Sequence, residues 1–146
     1  NVSIHGLNRG DIVYFKMPEY SNPNNPNLNL SEYNISRVIA LPGESIEIKD
    51  GQIYIDDKKL ETFYGQKNKY GFTKEEYIEF KKEEDPNFSL SKKELVFFNE
   101  SMDEIQLSKH QIFVIGDNWW RGVDSRLFGP LALDAIEGKV IGVTKD

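Results

Sequence analysis

From residue 10 to residue 16 the hydrophobic side chains fall on both sides of an extended chain, Ile12 and Tyr14 on one face and Val13 and Phe15 on the other, which predicts a β-strand. Residues 18–32 carry Pro18, Pro23 and Pro26 among many Asn and Ser, and proline lacks the donor a sheet needs, so this stretch reads as a loop. Strand character returns over 33–41 with Ile35, Val38 and Ile39, and Pro42-Gly43 ends it. Ile46 and Ile48 then alternate with polar residues, as do Ile53 and Ile55, and Asp50-Gly51 between them marks a tight hairpin. Asp56-Asp57 makes a second turn before Leu60. Over 73–84 the period changes. Thr73 with Glu76 forms a capping box, Tyr77 and Phe80 share one face amid Lys and Glu, and Asp85-Pro86 stops the helix. Residues 94–99 and 111–116 read as strands separated by a polar turn, and Lys139–Val143 as a final strand. The sum is a mainly β chain of many short strands with one or two short helices. It reads as a single domain over 1–146, with its core in 9–60 and 111–146 and the Lys- and Glu-rich stretch 61–110 inserted as a small lobe. No internal repeat or low-complexity linker interrupts it.

Composition narrows the classes of function. With 146 residues, 38% hydrophobic and 29% charged, the chain has what one soluble domain needs for a core. A net charge of −6 argues against nucleic-acid binding and against simple electrostatic docking on anionic lipid. The absence of cysteine excludes disulfides, thiolate metal sites and thiol catalysis. His5 and His110 lie far apart and read as surface or turn residues. No cluster implies a metal or an organic cofactor. No stretch approaches the ~18 apolar residues of a membrane span, and no signal peptide is visible.

Three segments carry the candidate chemistry: Gly10-Asp11-Ile12-Val13, Ser36-Arg37-Val38-Ile39-Ala40-Leu41-Pro42-Gly43-Glu44, and Gly116-Asp117-Asn118-Trp119-Trp120-Arg121-Gly122-Val123-Asp124-Ser125-Arg126. In this order and with this internal spacing they resemble the bacterial type I signal peptidases, membrane-anchored serine proteases that cut signal peptides from exported proteins. The resemblance covers 9–60 and 111–143 and is weak over 61–110. It implies a signal-peptidase-like fold of antiparallel sheets at the extracytoplasmic face of the cell membrane. It also implies an anchor and a serine-bearing segment before Arg9-Gly10-Asp11, so the expectation is either a trimmed ectodomain or a chain without those parts.

The family's chemistry needs a neutral lysine, deprotonated by burial, within ~3 Å of the nucleophilic serine. The resemblance puts that lysine at Ser36, whose hydroxyl is neither basic nor long enough. Arg37 stays protonated and points to the other strand face. Lys16 and Lys49 lie on segments that do not match. The serine that supports the family's lysine falls at Gly122. Both members of one hydrogen-bonded pair are thus replaced, which fits a site released from general-base chemistry.

The remaining matched residues read as scaffold. Asp124 and Arg126 are expected to form an ion pair bracing a strand end, Asp117 and Asn118 to close a turn, and Ser125 to serve as a structural hydroxyl. Trp119 and Trp120 stand where the family has polar residues. They read as packing, or as contacts to a partner or to the membrane interface. The functional expectation is an accessory or chaperone of pilus or surface-protein assembly that binds an extended precursor or pilin segment by β-augmentation beside the Ser36 strand. The alternative is an active serine endopeptidase whose nucleophile lies upstream and whose base comes from elsewhere. A purely structural surface domain is a third reading, marked by a filled groove beside 33–38.

Overall fold

The strands form two antiparallel sheets, in which burial alternates along Ile12–Lys16 and Gln52–Ile55 and is continuous at the end of Tyr33–Ala40 and over 112–115. The computed structural model describes residues 6–19, 32–120 and 122–142, and the middle of the expected proline-rich loop lies outside them. The chain divides into two compact units, one made of Asn1–Gly43, Leu107–Gly116 and Val123–Asp146, the other of Glu44–Gln106 and Asp117–Gly122.

The first unit holds strands β1 (Ile12–Lys16) and β2 (Tyr33–Ala40). Its later elements are β7 (Gln111–Ile115), a short helix α3 (Ser125–Phe128), β8 (Leu131–Ala132) and β9 (Ile136–Val140). The sheet order is β8-β7-β2-β1-β9, with every pairing antiparallel. Val13, Phe15, Val38, Ile112, Val114 and Leu131 form its buried core, with Leu7 and Ile136 at the margin. Phe128 of α3 packs edge-on against Phe15 at 6.2 Å. The last strand starts at Ile136, three residues before the expected Lys139, because the buried Ile136 already pairs with Phe15. Ile141 and Gly142 follow it without strand structure, and Val143 lies outside the described residues.

The second unit holds β3 (Ser45–Lys49), β4 (Gln52–Ile55), β5 (Lys58–Lys59) and β6 (Met102–Gln106), in the order β5-β4-β3-β6. Helices α1 (Lys74–Glu84) and α2 (Lys92–Phe98) complete it. The predicted hairpin is present: Asp50 and Gly51 both have positive φ, 48° and 80°, as a two-residue turn matched to strand twist requires. The Asp56-Asp57 turn is likewise left-handed, at 49° and 65°. The predicted helix starts on its capping box, with Thr73 and Glu76 exchanging side-chain to backbone bonds.

Residues 94–99 correct the sequence reading. They were expected as a strand, and the chain from Lys92 to Phe98 is helical. A short apolar run such as Leu95–Phe98 does not distinguish strand from buried helix by periodicity. The deciding signal is a second capping box, Ser91 with Glu94, identical in form to the first. The helix then buries Phe98 against Tyr77, ring centroids 5.6 Å apart. The unpredicted β6 sets Ile105 and Met102 opposite Ile46 and Ile48.

The boundary between the units falls after Gly43 rather than at residue 61, so the hairpin belongs with the lysine-rich stretch. Gly51 is the reason. Its N–H donates to the Glu100 carbonyl at 2.7 Å and its carbonyl accepts from the Lys67 N–H at 2.7 Å. A Cβ there would run into the Phe98 carbonyl oxygen, and the left-handed φ adds strain. Gly51→Ala is expected to destabilise this unit by roughly 2 kcal/mol or more, read by urea denaturation.

Glu94 ties the two helices together. Its carboxyl is held below the ordinary carboxylate range, first by the Ser91 N–H and then by the Tyr77 hydroxyl. Burial, and then the bond to Glu94, push Tyr77 up to about 12. A depressed carboxylate stabilises the fold above its unfolded pKa, and that contribution disappears as pH falls through the folded value. Glu94→Gln is therefore expected to lower the unfolding midpoint at neutral pH, with the difference from the native protein shrinking as pH falls below the ordinary carboxylate range.

Candidate functional site

Ser36 lies in the middle of β2, the central strand of the first sheet, opposite Val13 of β1. Its side chain points inward and is 5% exposed. Alternation sends Arg37 to the other face, where Nη1 donates to the Gly10 carbonyl at 2.9 Å and links two of the three motif segments. A buried hydroxyl on this face supplies no base.

The two halves of β2 differ at their other edge. Val38 donates to the Asp11 carbonyl and Met17 to the Glu32 carbonyl, so even-numbered residues of β2 bond to β1. Tyr33, Ile35 and Arg37 therefore turn their backbone groups towards the β7 side. Pairing with β7 begins only at Arg37, opposite Ile115. Among the described residues no strand pairs with Tyr33–Ser36 on that side. The Ile35 N–H is met locally by Asn34 Oδ1 at 2.8 Å, while Asn34 Nδ2 donates to the Val123 carbonyl at 3.3 Å. On the solvent face beside this edge, Tyr14 and Tyr33 stack at 5.3 Å, next to Ile35, which is 54% exposed.

The frame at the end of β7 is built by one carboxylate. Asp124 is 0% exposed and caps α3. Its Oδ2 accepts from the Gly116 N–H at 3.1 Å and from Arg126 Nη2 at 3.1 Å, and its Oδ1 accepts from the Arg126 N–H and Nε at 3.0 Å each. The Asp124–Arg126 ion pair is thus two-pronged and almost wholly buried. Ser125 Oγ accepts from the Val114 N–H at 2.9 Å, so the helix start is bonded along the strand end at two points.

Between Gly116 and Val123 the chain belongs to the second unit. Asp117 and Asn118 are exposed at its start, and the bond across its base comes from Asp124. Gly122 is half-buried at its end. The tryptophans part company. Trp119 is 4% exposed, which makes it a packing residue and leaves the open aromatic surface to Trp120. Beside Trp119 lies a residue that sequence reasoning passed over. Lys67 is buried, with Nζ 3.2 Å from Glu100 Oε1, 3.9 Å from the Phe97 ring centroid and 5.9 Å from that of Trp119. Nothing in its sequence neighbourhood marks it, since it lies in a polar run and its partners come from distant segments.

Among the described residues the one group of carboxylates close enough to share a cation is Glu47, Asp57 and Glu104, within 4.8 Å of one another. Asp57 and Glu104 are exposed, and like charge, Asp57 first, holds the Glu104 carboxyl above its ordinary range.

Comparison with known proteins shows the family of the chain and its fold. The family model described as signal peptidase, peptidase S26, matches residues 1–144, and the chain belongs to this family. It is 30% identical over 144 residues to signal peptidase I V of Bacillus subtilis, covering 96% of this chain and 66% of the relative. To signal peptidase IB of Staphylococcus aureus it is 31% identical over 138 residues, covering 92% and 59%. To signal peptidase I of Rickettsia conorii it is 34% identical over 132 residues, covering 82% and 44%. The chain therefore spans about half to two thirds of the length of these relatives. A crystal structure of a signal peptidase I from Enterococcus faecalis shares the fold, with a TM-score of 0.55 at 24% identity, covering 92% of this chain and 96% of that one. No helix among the described residues is long and apolar enough to cross a membrane.

Removing the Asp124 carboxylate takes the buried acceptor of the ion pair from the Arg126 guanidinium and the acceptor from the Gly116 N–H. Asp124→Ala is expected to cost about 3–5 kcal/mol, measured by equilibrium unfolding.

Proposed function

We propose that this protein is a signal-peptidase-like binding protein that holds an extended segment of an exported precursor or pilin and does not itself cleave it. It would act as an accessory or chaperone in surface-protein or pilus assembly at the outer face of the cytoplasmic membrane. The observation that carries this reading is Ser36: a short, non-basic hydroxyl, buried on the core face of β2, at the position where the resemblance implies the catalytic lysine. The replacement by Gly122 of the serine expected to support that lysine points the same way.

Binding does not need the lost base. The backbone of Tyr33–Ile35 faces away from β1 beyond the end of the β7 pairing, so an incoming strand can add there, and a peptide carbonyl can take the Ile35 N–H from Asn34 Oδ1. The exposed Tyr14, Tyr33 and Ile35 beside it suit an apolar segment or the membrane interface.

Family membership supports the other reading, an active serine endopeptidase with nucleophile and base contributed from outside these segments. Without a base, oxyanion stabilisation and binding leave only ~10³–10⁴-fold acceleration over water.

The test is cleavage of a signal-peptide substrate by the full-length protein in detergent, beside the Ser36→Lys/Gly122→Ser double variant. The expected result is no cleavage above background by the native protein, saturable binding of the intact peptide, and cleavage by the double variant. Turnover by the native protein would overturn the proposal.

A further inference from the structure

Within the second unit, an aromatic cleft of about 390 Å³ opens between Tyr70, Phe97 and Trp120, with Lys69, Lys93 and Glu94 at its edge. Tyr70 is the unusual residue. The chain reverses at Tyr70-Gly71, closed by two bonds between Lys69 and Phe72 at 2.8 and 3.0 Å, and both turn residues have positive φ, 53° and 83°. Such a turn favours Asn or Gly at its tip. An aromatic residue is strained there and gains little by folding, since Tyr70 is 70% exposed. What the turn achieves is to set the Tyr70 ring 5.0 Å from that of Trp120, tilted by 52°.

The charges at the rim do not cancel. Glu94 is committed to the Ser91 N–H, the Tyr77 hydroxyl and Lys69 Nζ, the last at 3.6 Å. Lys69 and Glu94 therefore offset each other. Lys93 is exposed and has no partner among the described residues, which leaves one ammonium beside the aromatic walls. The volume is at the small end of the ~300–1,000 Å³ typical of ligand sites, and the tilted walls form a wedge rather than a flat platform. A wedge admits a side chain edge-first, whereas a sugar ring needs a face to lie on.

We propose that this cleft binds a large apolar side chain, Phe or Leu in size, of a peptide segment that carries a carboxylate on a neighbouring residue. Tyr70, Phe97 and Trp120 grip the side chain, and Lys93 pairs with the acid. The cleft lies wholly within the second unit, and its binding does not depend on whether the protein cleaves peptides.

The test is an NMR titration of the native protein, read at the Trp120 indole N–H, which Trp120→Phe assigns. The probes are the acetylated and amidated pentapeptide Gly-Asp-Phe-Asp-Gly, the same peptide with Lys in place of Asp, and N-acetylchitotetraose. The expected result is a saturable shift with the acidic peptide alone, weakened roughly tenfold by Tyr70→Asn and several-fold by Lys93→Glu. Tyr70→Asn also separates function from folding. Asn tolerates the left-handed turn, so this variant is expected to melt higher than the native protein while binding worse. Absence of a saturable shift, response to the tetrasaccharide only, or equal affinity in both variants would overturn the proposal.

Discussion

The buried carboxylate of Asp124 is the contact on which the motif-bearing part of the first unit depends. An isolated charge with no exposure would be costly, and the site offsets that cost by surrounding it with four donors from two residues. The same four bonds do three jobs. They cap α3, they turn the Arg126 guanidinium into a buried bidentate partner, and they bind the chain where it leaves β7 at Gly116. Ser125 adds a fifth bond, accepting from the Val114 N–H. The chain can therefore leave at Gly116, contribute Asp117–Gly122 to the other unit, and return in register at Val123.

This frame and the chemistry of the family's dyad rest on different physics. The frame requires a carboxylate, a guanidinium and a hydroxyl with satisfied bonds, and Asp124, Arg126 and Ser125 provide them. General-base catalysis requires an amine that burial keeps neutral, and Ser36 and Gly122 do not contribute to it. A scaffold can hold the first set whatever stands at the second, because no bond described within the frame passes through Ser36. The chain belongs to the signal peptidase family by its match over residues 1–144, and that independence leaves room for the proposed role in binding.

The second unit depends on close approach of backbone to backbone at Gly51. The hairpin, Lys67 ahead of α1 and Glu100 beyond the end of α2 meet there through two bonds of 2.7 Å. Lys67 follows directly. Its stem is buried and its ammonium is shared between Glu100 and the Phe97 ring, with Trp119 beyond. The packing of Trp119 is thereby settled within this unit, and Trp120, next in the chain, turns its ring outward to Tyr70.

Local signals carried the sequence reading as far as local physics reaches. Alternation identified the first strand, the 33–40 strand and the Asp50-Gly51 hairpin, because period two and left-handed turn residues act over a few positions. Thr73 with Glu76 identified one helix, and the same box at Ser91 and Glu94 held the second, which the apolar run after it disguised as a strand. The family resemblance, rather than any local signal, implied the ion pair of Asp124 and Arg126. What the sequence alone did not determine is everything set by contacts between distant segments: the unit boundary at Gly43, the cation site of Lys67, the opposite fates of Trp119 and Trp120, and the point at Arg37 where pairing of β2 with β7 begins. Side-chain type and spacing are properties of a neighbourhood, whereas burial and partner choice depend on which remote strand arrives beside it, and only the tertiary structure decides that.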